Sequence, residues 1–293
     1  MRAAWRAVIA MAVVMLIGGG APGVAQARGG CGANAAIDFG VAGFCQRAVL
    51  MSALESGLSM GSYNGAGRFE AEGLRPGLST LRVGGGLRLA GERLHRLQLH
   101  ADGGLLLGGD TSSRVPLGAL GLKGRAGVRW MVLEDLKLGF DRSLRASRRP
   151  YLEVVAHLRH ASPEASQTLE PSPVAMLLAS AGVHALKYMT YRDVVSLRLE
   201  GGYGSVGPEA SLGVSWTRVE AMRWAAGLEA GVRLRSRGPQ LRANVGIFST
   251  WTLGSPHWAL SAHLRSDWVG PVGAYRVGRV GPRLGVSLQR NFL

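Results

Sequence analysis

From about residue 79 to the C-terminus, apolar and polar residues alternate one by one, the period that sends successive side chains of an extended strand to opposite faces. Leu81, Val83, Leu87 and Leu89 interleave with Thr80, Arg82, Gly84, Gly86 and Arg88. Leu120, Leu122, Ala126, Val128 and Trp130 do the same with Gly121, Lys123, Arg125, Gly127 and Arg129, and the runs opening at Trp224, Leu241 and Trp258 repeat the pattern. It predicts twelve strands, near residues 79–89, 94–107, 117–130, 134–142, 150–160, 174–187, 192–203, 208–218, 223–235, 240–252, 257–268 and 282–293. Most reach the roughly 9–11 residues that a tilted strand needs to cross a bilayer. A bacterial single-chain barrel has an even strand number, so the faintly strand-like stretch 63–72 is either left out or paired with another missed strand. Residues 35–56 are the one segment read as helix, although they keep no clean apolar stripe and Gly40 and Gly43 weaken them.

Aromatic placement separates a membrane barrel from a soluble β-sandwich. A sandwich buries its tryptophans in mid-strand, whereas all six tryptophans beyond Trp5 fall on the apolar face at strand ends. With the last strand descending to the periplasm, Trp216, Trp224, Trp251, Trp258 and Phe292 form a periplasmic girdle, and Trp130, Tyr203 and Trp268 an outer one. The same topology puts loops 161–172 and 269–280 outside, and turns 108–116, 143–149 and 254–256 inside. The expected fold is all-β: an antiparallel transmembrane β-barrel of about twelve strands.

The first residues place this barrel in an exported chain. Arg2 and Arg6 precede an apolar run over 7–17 and the triplet Ala25-Gln26-Ala27, the layout of a signal peptide cleaved before Arg28. No later stretch has about 18 consecutive apolar residues, so spanning helices are excluded from the mature chain. The expected division is a signal peptide over 1–27, a short periplasmic or lumen-plugging segment over 28–77, and the barrel over 78–293. Cys31 and Cys45 are the only cysteines, and an oxidising compartment favours pairing them. Two cysteines without a nearby histidine do not make a zinc site, and neither metal nor cofactor is expected.

The C-terminus carries a resemblance. Leu284, Val286, Leu288, Arg290 and Phe292 alternate into a terminal aromatic, which resembles the assembly signal of bacterial outer-membrane β-barrel proteins, here with the aromatic penultimate to Leu293. The resemblance implies residence in the cell outer membrane, contact with its lipid and lipopolysaccharide, and recognition of the last strand by the barrel-assembly machinery.

Charge bears on what the barrel does. The formal net charge is +15; in an exported protein this excludes nucleic acid as the natural partner and favours acidic lipid or an anionic solute. If apolar side chains face lipid, the interleaved set faces the lumen. Fifteen bases then point inward: Arg82, Arg88, Arg96, Lys123, Arg125, Arg129, Lys137, Arg159, Arg198, Arg223, Arg233, Arg235, Arg242, Arg265 and Arg283. Six acids accompany them: Asp102, Asp141, Glu153, Glu200, Glu229 and Asp267. The strand near 174–187 has small or apolar residues on both faces and is not assigned. A confined basic lumen attracts anions, which reads as a porin-like channel for small anionic or amphipathic solutes. The alternative is a structural barrel whose arginines cross-link to acids and fill the bore.

An enzyme is not expected. Of the histidines, His100, His157 and His263 take the lumen phase, and His95 and His160 the outer rim. His160 with Ser162, Glu164 and Glu170 is the one Ser/His/Glu grouping, and it rests on a loop. Glycine runs such as 84–86 lack the following helix of a phosphate loop; in a strand they leave room for bulky neighbours.

Overall fold

A computed structural model of the chain describes residues 46–292 apart from 64–67, 90–95, 108–120, 134–150, 162–175, 191, 206, 221–223, 237–240, 254–256 and 271–278. The segment expected to be a signal peptide, Cys31, Cys45, His95 and the Ser162, Glu164 and Glu170 grouping lie outside the described residues, as do Lys137, Asp141 and Arg223.

Twelve strands form one closed barrel: β1 (Ala48–Tyr63), β2 (Phe69–Arg88), β3 (Leu97–Leu107), β4 (Gly121–Leu133), β5 (Tyr151–Ala161), β6 (Met176–Tyr188), β7 (Asp193–Gly204), β8 (Gly207–Glu220), β9 (Trp224–Arg235), β10 (Leu241–Thr252), β11 (Trp258–Gly270) and β12 (Arg279–Phe292). Each pairs antiparallel with its neighbour in sequence, and β12 closes on β1 from Ala48↔Phe292 to Ser62↔Arg279. Closure satisfies every backbone ladder and removes the open sheet edges that a bilayer does not tolerate. Ala48 and Phe292 lie at one rim, taken as the periplasmic one because outer-membrane barrels keep both chain ends there.

The exterior is an apolar band. Leu50, Leu122, Leu158, Leu199, Leu228 and Val245 are more than half exposed, an arrangement that costs free energy in water and none in hydrocarbon. The interior holds the polar set instead: Gln98, His100, Glu153, His157, Glu209 and Glu229 are buried. One face of each strand meets lipid and the other the lumen, as the alternation dictates.

The first strand overturns part of the sequence reading. Residues 48–56 are not helical; they open β1, so the barrel begins at Ala48 and not at residue 78. The signal was hidden because the inward side chains Val49, Met51 and Ala53 are as apolar as outward Leu50 and Leu54, leaving no polar phase before Glu55. The stretch 63–72, to be left out or paired with a missed strand, contributes the end of β1 and the start of β2. The strand expected over 134–142 lies outside the described residues, and β4 pairs directly with β5 from Lys123↔Ala161 to Leu133↔Leu152, which leaves no place in the wall between them.

Missing one strand and adding another kept the count at twelve, but reversed the direction assigned to the strands between. β4 in fact descends, so Trp130 stands at the periplasmic rim with Trp216, Trp224, Trp251, Trp258 and Phe292, not at the outer one. By the same reversal, connection 108–120 joins the outer ends of β3 and β4, which removes the over-long periplasmic turn expected there. Tyr203 and Trp268 keep the outer rim. At the periplasmic rim Trp224 donates to Ser249 Oγ at 2.7 Å, and the Arg290 guanidinium lies 5.4 Å from the Trp258 ring and 5.2 Å from the Phe292 ring, a cation–π pair at headgroup depth.

β1 and β2, at 16 and 20 residues, exceed what a membrane crossing requires. β2 pairs with β3 only as far as Ser79↔Leu107, so its first residues pair with β1 alone and the hairpin projects past the outer rim as a ribbon. The β1–β2 register shifts between Ser56 and Leu58, where Pro76, without an N–H to give to the ladder, faces Leu58.

Candidate functional site

The lumen is lined by residues whose positions follow from the ladder. One row runs Gly86, His100, Gly127, His157, Ser180, Gly202, Glu209, Arg235 from β2 to β9. Another runs Glu229, Gly246, Arg265, Arg283 from β9 to β12. Small residues stand between large ones, and this spacing lets side chains two or more strands apart meet. Arg265 reaches over Gly246 to donate from Nε to Glu229 Oε1 at 2.7 Å. Arg159 on β5 passes β6 altogether, donating from Nη2 to Glu200 on β7 at 2.6 Å and from Nη1 to Glu209 on β8 at 3.1 Å.

Glycine is required where a large ring lies against the wall. A Cβ on Gly285 would stand 2.2 Å from the His263 ring, and one on Gly127 would stand 2.4 Å from His157 Cβ. We expect Gly285→Val to force His263 off the wall and lower the unfolding free energy in lipid vesicles by about 1–3 kcal/mol, the usual cost of overpacking. An unchanged urea midpoint would show that the ring has room to move aside.

Every basic position singled out in the described strands lies on the inward phase. Arg82 binds Asp102 Oδ1 at 2.8 Å and approaches Glu55 at 3.5 Å. Arg125 donates from Nε to Asp102 Oδ2 at 2.7 Å, and Arg129 from Nη1 to Glu153 Oε2 at 3.1 Å. Arg233 Nε stands 3.4 Å from Glu209 Oε1, and Arg235 Nε donates to Glu209 Oε2 at 3.0 Å. Arg88 is opposite Gln98, Lys123 opposite Gly104, Arg198 opposite His184, and Arg242 opposite Arg233. Arg283, counted as inward but not singled out, bridges Glu55 at 3.8 Å and Asp267 at 3.0 Å. Arg96 is exposed just before β3.

Two acids were missing from the sequence reading. Glu55 was lost with β1. Glu209 was overlooked although Glu209, Ser211, Gly213 and Ser215 keep the inward phase of β8, and extending that strand by its own period finds it. They reduce the inward excess of base over acid without abolishing it.

β6, unassigned from sequence, turns Leu178, Ser180, Gly182, His184 and Leu186 inward. His184 Nε2 lies 2.8 Å from Glu200 Oε1 and His157 Nε2 lies 3.4 Å from Glu200 Oε2, while Arg159 Nε donates to His157 Nε2 at 2.9 Å. His100 meets His157 edge to face at 6.2 Å. His160 points outward at the outer rim. Among the described residues no group of His, Cys, Asp and Glu is arranged to hold a metal ion.

The lumen is graded in two senses. Charges gather in its outer half, where Lys123, Arg159, Glu209, Arg233, Asp267 and Arg283 stand toward the outer ends of their strands, while Glu55 lies midway along β1 and Arg82 in the later part of β2. In the periplasmic half Arg88 and the Arg129–Glu153 pair stand among uncharged inward residues, with Gln46 donating to Asn291 Oδ1 at 2.8 Å and Thr250 sharing a 2.9 Å bond with Ser261. In several of the ion pairs the acid is recessed and its arginine more open, although Arg235 is as buried as Glu209 and Asp267 is 24% exposed. Side-chain exposure is 4% for Glu209, 7% for Asp102 and 8% for Glu229, against 37% for Arg233, 29% for Arg283, 24% for Arg265 and 20% for Arg82.

No protein-family model and no curated protein sequence matches the chain. Solved structures do. An outer-membrane channel from Pseudomonas putida F1 aligns at a TM-score of 0.52 and 10% identity, over 84% of this chain and 96% of that one. The KdgM porin aligns at a TM-score of 0.47 and 8% identity over 83% and 99%, and the CymD monoaromatic hydrocarbon channel at 0.46 and 9% over 89% and 93%. At such identity the likeness speaks for fold, and it agrees with the closed wall, apolar exterior and aromatic rims: the chain has the fold of a bacterial outer-membrane β-barrel.

Proposed function

We propose that the protein is an outer-membrane channel whose lumen favours small anionic solutes. The observation that carries this reading is the layering of charge. Because Glu209, Asp102 and Glu229 are recessed while Arg233, Arg82 and Arg265 beside them are more open, a solute in the lumen meets those guanidinium groups before their carboxylates, although nearly every arginine has an acidic partner. In a narrow bore with low-dielectric walls such a lining raises the local concentration of anions and repels cations. Lipid and lipopolysaccharide surround the exterior, and β12 supplies the alternation read by the assembly machinery.

The test is the reversal potential of the refolded full chain in a planar bilayer under a KCl gradient. We expect the sign of an anion-selective pore, and a loss of about half or more of that potential when Arg233, Arg265 and Arg283 are replaced together by Gln. Cation selectivity, or a potential indifferent to the three substitutions, overturns the reading.

A second reading, a barrel without transport, draws on the periplasmic half. Met51, Gln98, Met131, Val155 and Gln289 all point inward there and are at most 2% exposed. A folded barrel that passes no current supports this reading.

A further inference from the structure

The bore changes character along its length. Within five residues of the periplasmic end of its strand, each of the twelve strands turns at least one buried residue inward. Met51, Gln98, Met131, Val155, Ser261 and Gln289 are at most 2% exposed. β1 and β7 are six strands apart around the closed ring, so Met51 on the one and Val194, 5% exposed, on the other stand on opposite sides of the lumen. A side chain that points into a bore and reaches no water is covered by others reaching in beside it or across from it. Where this holds on every strand, the cross-section is filled. Nearer the outer rim the lining is wet, with side-chain exposure of 37% at Arg233, 29% at Arg283 and 24% at Asp267.

The filled part differs in chemistry from the wet part. Met51 is directly opposite Gln289 of β12 and Gly84 of β2, and Gln98 is opposite Arg129, two residues before Met131 on the same face of β4. In the outer half, ion pairs such as Arg159–Glu209 pin side chains to one another across strands. A thioether has no such bond to break, and its three rotatable bonds let it turn aside and return. An ion reaching a dry, mostly neutral constriction must shed its water to enter, and such constrictions shut pores by dewetting. We infer that Met51 and Met131, with Gln98 and Gln289 beside them, form the barrier to permeation: the lumen is a vestibule open to the outside and closed toward the periplasm by a side-chain gate. The inference rests on the channel reading and deepens it. The arginines of the vestibule choose the ion, and the methionines set how fast it passes.

Thiol labelling needs no current and separates the barrier from the channel. In the full chain with Cys31 and Cys45 replaced by Ser, a single cysteine is placed at Ser261, in the filled part, or at Asn244, inward in the outer half of β10. With a charged methanethiosulfonate and the protein folded in detergent, we expect Ser261→Cys to react about tenfold or more slowly than Asn244→Cys, since reaction follows exposure. Adding Met51→Ala and Met131→Ala should remove that protection. In a planar bilayer the same pair should raise the single-channel conductance about threefold or more, or turn a silent barrel into a conducting one, with the reversal potential unchanged. Equal labelling at the two sites in the parent overturns the barrier, and this comparison carries the test if the alanine variant does not fold. Protection that survives both substitutions, or is lost with no rise in conductance, also overturns the assignment to these methionines. An opened bore that prefers cations leaves the barrier standing and retires the anion channel.

Discussion

Replacing Glu209 by Gln will lower the unfolding free energy of the folded barrel by about 3 kcal/mol, near the lower end of what removing one partner from a buried ion pair costs. Its carboxylate is 4% exposed and the Arg235 side chain 3%, so this pair has little access to water to replace what is lost. Arg159 and Arg233 are more open to the lumen, and water there softens their share of the penalty. The variant keeps the shape of the side chain and removes only its charge, leaving Arg159, Arg233 and Arg235 with Glu200 as the nearest compensation. Urea unfolding in lipid vesicles, followed by tryptophan fluorescence, reads the change. A midpoint equal to that of the parent would mean that the cage behaves as a set of solvated surface pairs, and the lumen would have to be wetter than its burial indicates.

The same cage shows where the sequence stopped being informative. Phase alone placed Arg233, Arg235 and Arg242 inward, because a strand offers only two faces and the other was apolar. Which arginines meet was not legible. Arg159 and Glu209 lie fifty residues apart on strands that are not neighbours, and they meet only because Ser180 and Gly202 leave the wall between them bare. Periodicity carries no information across strands; the register does, and it is fixed by closure of the whole barrel. For that reason the basic lumen could be anticipated as a surplus, while the recession of its acids could not.

Strands with two unlike faces were read correctly, and strands with like faces were not. β9 and β10 alternate apolar and polar residues and were located to within a residue or two. β6 sets Leu, Ser and Gly inward against Leu, Ala and Val outward, with His184 the one strongly polar inward residue between them, so its span was found while its faces were not. β1 was taken for a helix for the same reason: where the lumen itself is lined by Val49 and Met51, an inward residue looks like an outward one. With a strand also drawn over 134–142, the count was already even and gave no cue that β1 had been missed. Parity constrains how many strands are drawn and says nothing about which.

That misreading supplies the sharpest remaining prediction. If β1 is a membrane-crossing strand, Leu54 faces lipid between Val286 of β12 and Leu81 of β2, while Glu55 beside it faces the lumen and receives Arg82 and Arg283. Arginine at a lipid-facing site deep in the hydrocarbon costs about 2–4 kcal/mol, because no water or counter-charge is within reach. Leu54→Arg should therefore lower the unfolding free energy by that amount, or stop the barrel from forming in vesicles. A lysine placed at Ser56, two residues nearer the outer headgroups on the same face, should cost about 1 kcal/mol or less, since the penalty falls steeply toward the interface. A helix lying in the periplasm or in the lumen would show no such gradient: both substitutions would be nearly neutral on a wet face, or both severe on a packed one. Equal penalties at Leu54 and Ser56 would thus remove β1 from the wall. With β1 gone, β2 and β12 would have to meet directly, and the register Ala48↔Leu87 and Ala48↔Phe292 that joins them through β1 would have no counterpart.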